Sequence, residues 1–223
     1  MSNDDQTRHS KALEAQIVSD PDEQAKIEAR NGVRQFDAVT QMIESFSDPE
    51  RKFKLRPSHL LGLQRIALEG LSSYAGNFRP AGIEIGGSRH KPPGAHMVPE
   101  EIEHMCDYVN DNWNKGSPVH LAAYALWKLN WIHPFTDGNG RTARAISYLL
   151  LCLRLGYRLP GTNTIPEQIA KDKKPYYKAL EAADKALEAG KIDLSELEDL
   201  LSALLAKQLV GVHQQATGKK ESQ

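Results

Sequence analysis

Cysteine is nearly missing from this sequence: Cys106 and Cys152 are alone among 223 residues. Two thiols cannot build the bridged framework of a small secreted domain, a zinc site built on them is not expected, and their scarcity fits a reducing compartment. Long apolar runs are missing as well. No stretch approaches the roughly 20 apolar residues that span a bilayer, and the opening MSNDDQTRHSKALEAQ has no apolar centre of the kind a secretory signal carries. A cytoplasmic protein with no membrane partner is the expectation. An excess of either charge is lacking too, since 28 Lys and Arg face 29 Asp and Glu for a net charge of −1. Without a basic surplus there is no electrostatic footprint for a polyanion, so no nucleic-acid partner is expected. The short cluster KDKK at 171–174 reads as a solvated loop before a helix.

What is present is helical periodicity. After Asp20-Pro21, a cap followed by a first-turn proline, the residues Ile27, Val33, Phe36, Val39, Ile43 and Phe46 recur near the helical period. Asn31-Gly32 interrupts that pattern and suggests that one helix ends and another begins. A second helix is predicted over 58–73. The segment that follows is crowded with Gly and Pro, and its centre, GIEIGG, alternates in the manner of a short strand or hairpin. From Pro99 helices resume: PEEIEHMCDYVNDNW, PVHLAAYALWKLNWI, a helix from the motif below to Leu155, and three more over 166–170, 175–188 and 194–209. The expected fold is all-α with one small β element. It divides into a flexible N-terminus (1–20), an N-terminal helical region (21–56), a core (57–160), C-terminal helices (161–212) and a flexible tail (213–223). In the last helix Leu194, Leu197, Leu200, Leu201, Leu204, Leu205 and Leu209 form a wide stripe that suits packing onto the domain or a homodimer surface.

Between two apolar stretches lies HPFTDGNGRTAR, from His133 to Arg144. Idle polar groups in such surroundings cost kilocalories, so they must be satisfied or used. Asp137-Gly138-Asn139-Gly140 leads into a helix whose first N–H groups lack partners and whose dipole is positive at that end. Two glycines allow close backbone approach, which together predicts an anion site suited to phosphate. Arg141 and Arg144 share one helix face and can grip an anion as a pair of guanidinium forks. A carboxylate at Asp137 among phosphates calls for a mediating cation, for which Mg²⁺ is the natural choice. His133 can act as a general base near neutral pH. These are the parts of phosphoryl or nucleotidyl transfer.

HPFTDGNGRTAR resembles the signature of Fic-domain proteins at every defined position, and the Gly-Gly-Ser segment with His90, Pro92 and Pro93 resembles the family's flap. The resemblance implies a Fic-type helical domain with a short β-hairpin flap and the Mg²⁺-dependent transfer of AMP from ATP to a Ser, Thr or Tyr hydroxyl of a target protein, itself included. His133 would deprotonate that hydroxyl, and Asp137 would hold Mg²⁺. Gly138, Asn139, Gly140, Arg141, Thr142, Ala143 and Arg144 would bind the phosphates, with Tyr176 and Tyr177 at the adenine. As a helix-start pair, the two tyrosines also suit core packing. Ile83, Glu84, Ile85, Gly86, Gly87, Ser88, Arg89 and His90 would form the flap that pins the target by strand addition. Relatives that transfer phosphate usually carry Lys where this chain has Gly140, which favours the AMP branch. Relatives also silence themselves with a helix whose Glu pairs with the last signature arginine; the nearest match is QAKIEARNG, with Glu28 facing Arg144. The alternatives are another phosphate-containing donor, removal of AMP, or a toxin-like module of low turnover held by a partner.

Overall fold

The computed structural model describes residues 10–11, 17–48 and 50–217. Its axis is a pair of helices, α4 (Pro118–Ile132) and α5 (Asn139–Leu155), packed along their length. Both are apolar on nearly every side: Leu121 through Trp127 are buried without a break in α4, and Ala145 through Cys152 in α5. A helix with so little polar face can lie only at the centre. Around it sit α1 (Pro21–Phe46) and α2 (Pro57–Leu68) against α5, α3 (Val98–Asp111) against α4, and α6 (Ile165–Lys171), α7 (Lys174–Glu188) and α8 (Ser195–Thr217) on the remaining sides. The fold class is all-α, as the periodicity predicts. Among the described residues, none of these helices is long and apolar enough to cross a membrane. Both cysteines are buried free thiols, and burial pushes Cys106 up to about 12.

Local signals set most boundaries. Ser117 caps α4 by accepting from the His120 N–H at 3.0 Å, with Pro118 next in the first turn. Thr164 and Glu167 close a capping box at α6, and Gly156 ends α5 in the left-handed conformation. Four expectations are corrected by the structure. Helix α1 runs unbroken through Asn31-Gly32, because Asn31 is fully buried and its amide donates to the carbonyls of Glu69 at 2.8 Å and Ala67 at 3.4 Å. The breaker pair therefore serves the end of α2, which stops at Leu68 instead of continuing to 73. Helix α8 extends through Thr217, so residues 213–217 are helix where a tail was expected. Ser10 and Lys11, expected to be part of a flexible N-terminus, form strand β1, antiparallel to β2 (Glu84–Ile85) with Ser10 opposite Ile85 and Lys11 opposite Glu84.

Most of the leucine stripe from Leu194 through α8 packs on the core. Leu194, Leu197 and Leu201 are buried, while Leu209 and Val210 face outward. Gln208 is also buried, with its amide bonded to the Ile165 N–H and the Pro160 carbonyl, which ties α8 to the start of α6. The measurement is chemical denaturation: Leu201→Ala is expected to cost about 3 kcal/mol through the cavity it leaves, and Val210→Ala to stay within about 0.5 kcal/mol.

Candidate active site

The loop between α4 and α5 is built around a residue that cannot continue the first helix. Pro134 disfavours the right-handed helical region at His133, and His133 sits at φ 50°, ψ 57° as the C-cap of α4. It is the one described residue other than glycine with positive φ. Such a conformation in a non-glycine residue costs about 1–2 kcal/mol and persists only when its surroundings enforce it. Here the enforcement comes from Arg79. Its Nε donates to the His133 carbonyl at 2.8 Å, Nη1 to Ala81 O at 2.8 Å, and Nη2 to Pro93 O and, at 3.5 Å, to Ile132 O. The Arg79 N–H donates to Pro134 O at 2.8 Å. This buried guanidinium thus caps the carbonyl end of α4, where the helix dipole favours a cation.

Pinned in this way, the imidazole of His133 turns into the pocket. Nδ1 lies 3.3 Å from Asn130 O; a carbonyl can only accept, so the ring proton is on Nδ1 and Nε2 keeps its lone pair. Burial first of all, opposed by the bond to Asn130 and aided by nearby His90 and Arg79, lowers His133 to about 4. The ring is therefore neutral at physiological pH, the state a general base requires. Nε2 lies 2.9 Å from the Ser10 hydroxyl.

Beyond His133 the loop turns through Gly138 (φ 79°) into α5. A Cβ at Gly138 would sit 2.4 Å from Leu68 Cδ2, so this glycine answers both to handedness and to the packing of α2. No side chain caps α5, whose N-terminal amides open on the pocket. Arg141 and Arg144 line the same wall. Arg144 is shifted down chiefly by burial, with Tyr176 and Tyr177 acting in the other direction. Thr142 and Ala143, expected among the phosphate-binding residues, are fully buried and absent from the pocket wall. Successive helix positions turn by about 100°, so four consecutive side chains cannot share one face. Asn139 has a bracing role: its Oδ1 accepts from the Phe135 N–H at 2.9 Å and its Nδ2 donates to Phe135 O at 2.8 Å. The Asp137 carboxylate accepts from the Gly138 N–H at 2.6 Å and from Arg141 Nη2 at 2.9 Å. It is more than half exposed, at the pocket mouth. Among the described residues no group of three or more His, Cys, Asp or Glu is placed to hold a metal. A single carboxylate fits Mg²⁺ as one ligand among phosphate oxygens, which is how that ion is commonly held.

The far side of the pocket, a cavity of about 420 Å³, contains Tyr176 and Tyr177, Trp127 and Asp184. Tyr176 is almost fully buried and its hydroxyl accepts from Asn130 Nδ2 at 2.7 Å. Asp184 accepts from the Trp127 indole at 2.8 Å. Of the expected flap, Ile85, Ser88 and His90 reach the pocket; Ile83, Glu84, Gly86, Gly87 and Arg89 do not line it. The Ser88 N–H to Ile85 O bond and Gly87 at φ 70° close a turn that needs a left-handed residue. His90 Nε2 donates to Trp131 O at 2.7 Å and anchors the flap to α4. Glu28 also lines the pocket, yet its carboxylate accepts from Gln24 and no ion pair within 4 Å joins it to Arg144.

Three contributors escape a reading of the sequence. Arg79 stands in a loop with no motif to mark it. Gln64 is fully buried and donates to Asp137 O at 3.2 Å while accepting from the Gly76 N–H at 2.5 Å; the apolar pattern of α2 gives no sign of it. Lys173, from the basic cluster read as solvated, lines the pocket instead, and burial followed by Arg144 shifts it down. The two constraints on Gly138 can be separated by denaturation. Gly156→Ala, with positive φ and open space, is expected to cost about 1 kcal/mol. Gly138→Ala should cost about 2 kcal/mol or more, because overpacking against Leu68 adds to the backbone strain.

Comparisons with known proteins bear on the fold and on the stretch that contains this loop. Residues 54–151 match the Fic/DOC family. A protein adenylyltransferase Fic from Drosophila willistoni is 34% identical over 137 residues, covering 60% of this chain and 26% of the relative. Protein adenylyltransferase fic-1 of Caenorhabditis elegans is 38% identical over 84 residues, 37% of this chain and 16% of the relative. The chain therefore spans about a quarter or less of the length of these curated relatives. Among solved structures, a Fic family protein from Desulfovibrio desulfuricans superposes with a TM-score of 0.64 at 23% identity, over 92% of this chain and 57% of that one. The matched span contains the loop pinned by Arg79, the neutral imidazole and the open end of α5, so it is this stretch of the chain, residues 54–151, that matches the Fic/DOC family.

Proposed function

We propose that the protein transfers AMP from ATP to a hydroxyl side chain of a protein. The observation that carries this reading is His133: a neutral imidazole with its Nε2 lone pair facing a pocket lined by the first residues of α5 and by two arginines. In the reaction, Nε2 takes the proton of the incoming hydroxyl as its oxygen attacks the α-phosphorus and pyrophosphate departs. The amides at the start of α5 oppose the charge that develops on the α-phosphate oxygens. Arg144 and Lys173 are cations inside the pocket, and they suit the β- and γ-phosphates. Asp137, now paired with Arg141, would hold Mg²⁺, and the ion would supply charge neutralisation among the phosphates. Tyr176 and Tyr177 offer aromatic surface to the adenine. The names of the relatives, protein adenylyltransferases, support the same reading.

Two measurements test it. With labelled ATP and Mg²⁺, His133→Ala is expected to lose at least about 100-fold in transfer rate, as removal of a general base does, while nucleotide binding changes little; a variant that retains full transfer would overturn the role. The pH profile of kcat/KM follows the base of the free enzyme. Because burial lowers the His133 pKa to about 4, the unprotonated form predominates throughout the range above it. The acid limb should therefore fall toward pH 4, not near 6.5 where an exposed histidine titrates.

A further inference from the structure

The residue facing the catalytic base belongs to this chain. Ser10 Oγ lies 2.9 Å from His133 Nε2, hydrogen-bond distance to the atom that keeps its lone pair once Nδ1 has donated to Asn130 O. The hydroxyl must therefore be the donor, with its proton directed at the base. Asn139 Nδ2 donates to the same oxygen at 3.3 Å, which orients it from a second side. Backbone pairing delivers it: Ser10 and Lys11 lie antiparallel to Glu84 and Ile85. Ser10 is also part of the wall of the pocket that contains the start of α5 and Arg144. A serine held by strand pairing, with its proton aimed at a neutral imidazole beside an anion site, has the arrangement required of an attacking group.

From this geometry, and resting on the transfer reading above, we infer that Ser10 is an acceptor of AMP within its own molecule, and that β1 occupies the place on β2 where a target segment would pair. In the step, the Ser10 Oγ–H proton passes to His133 Nε2 and Oγ forms a bond to the α-phosphorus of ATP. The bond from that phosphorus to the bridging oxygen breaks, and pyrophosphate leaves. The product is a phosphodiester joining Ser10 to adenosine. It is more bulky and more anionic than the serine it replaces, and pairing of β1 with β2 must accommodate it or release.

The test uses the full chain with α-labelled ATP and Mg²⁺, peptide mass analysis, and a lysate as a source of other hydroxyl acceptors. Ser10 is expected to carry one AMP unit, and tenfold dilution of the protein should leave the fraction labelled per minute unchanged, as an intramolecular reaction requires. Lys11→Pro, which keeps the acceptor but disrupts strand pairing, should slow labelling of Ser10 at least tenfold. Label on lysate proteins or on other residues of the chain but never on Ser10 would overturn the inference and leave the transfer reading intact. So would a Ser10 rate that falls in proportion to dilution, since the reaction would then be between molecules. If neither the chain nor any lysate protein acquires AMP, the transfer reading itself fails and the inference falls with it.

Discussion

The carbonyl of His133 is held by the guanidinium of Arg79, and the reactive end of the molecule depends on that contact. Pro134 keeps α4 from continuing, and the left-handed turn at His133 aims the imidazole where an extended helix could not. A turn of this kind is unfavourable for a residue with a Cβ. It survives because Arg79 gathers carbonyls from α4, from Ala81 and from Pro93 around one buried charge. The cation is stable there for the same reason: the end of a helix presents carbonyls with no other partner. Support and strain are two sides of one arrangement.

Burial then sets the chemistry. The same enclosure that fixes the ring keeps it uncharged and leaves Nε2 as an acceptor, while Asn130 settles the tautomer. The pocket also collects positive groups, the start of α5 with Arg141, Arg144 and Lys173, beside the carboxylates of Glu28, Asp137 and Asp184. Arg144 is half-buried on the pocket wall near the tyrosines, with no carboxylate within ion-pair distance among the described residues. A partly desolvated guanidinium without such a partner is costly, and an anionic ligand would offset that cost.

Strand pairing joins two distant segments of the sequence to this centre. Residues near position 10 and the flap near position 85 are far apart in the chain, yet two residues of each suffice to carry a hydroxyl to His133. Strand addition specifies backbone and register more than side chains, so one edge can receive a segment of the same molecule or of another. Which segment occupies the edge then depends on which one reaches it at higher effective concentration.

Helix periodicity, caps and the twelve residues from His133 to Arg144 were legible without coordinates, because each rests on neighbours a few positions apart: proline and serine at helix starts, glycine at left-handed turns, two arginines one turn apart. The central position of α4 and α5 followed equally from their lack of a polar face. Tertiary structure alone decided the rest. Asn31 was taken for a breaker until α2 supplied carbonyls for its amide; Thr142 and Ala143 lay in the motif yet turned inward; Lys173 was taken for a solvated charge until α5 came beside it. Arg79, Gln64 and Ser10 carry no local mark, since the partners that matter at the site lie far along the chain: Asp137 is 73 positions from Gln64, His133 is 54 from Arg79 and 123 from Ser10. Sequence determines what a short stretch can do by itself, and only the folded chain determines which distant groups it meets, because desolvation and hydrogen bonding act on neighbours in space.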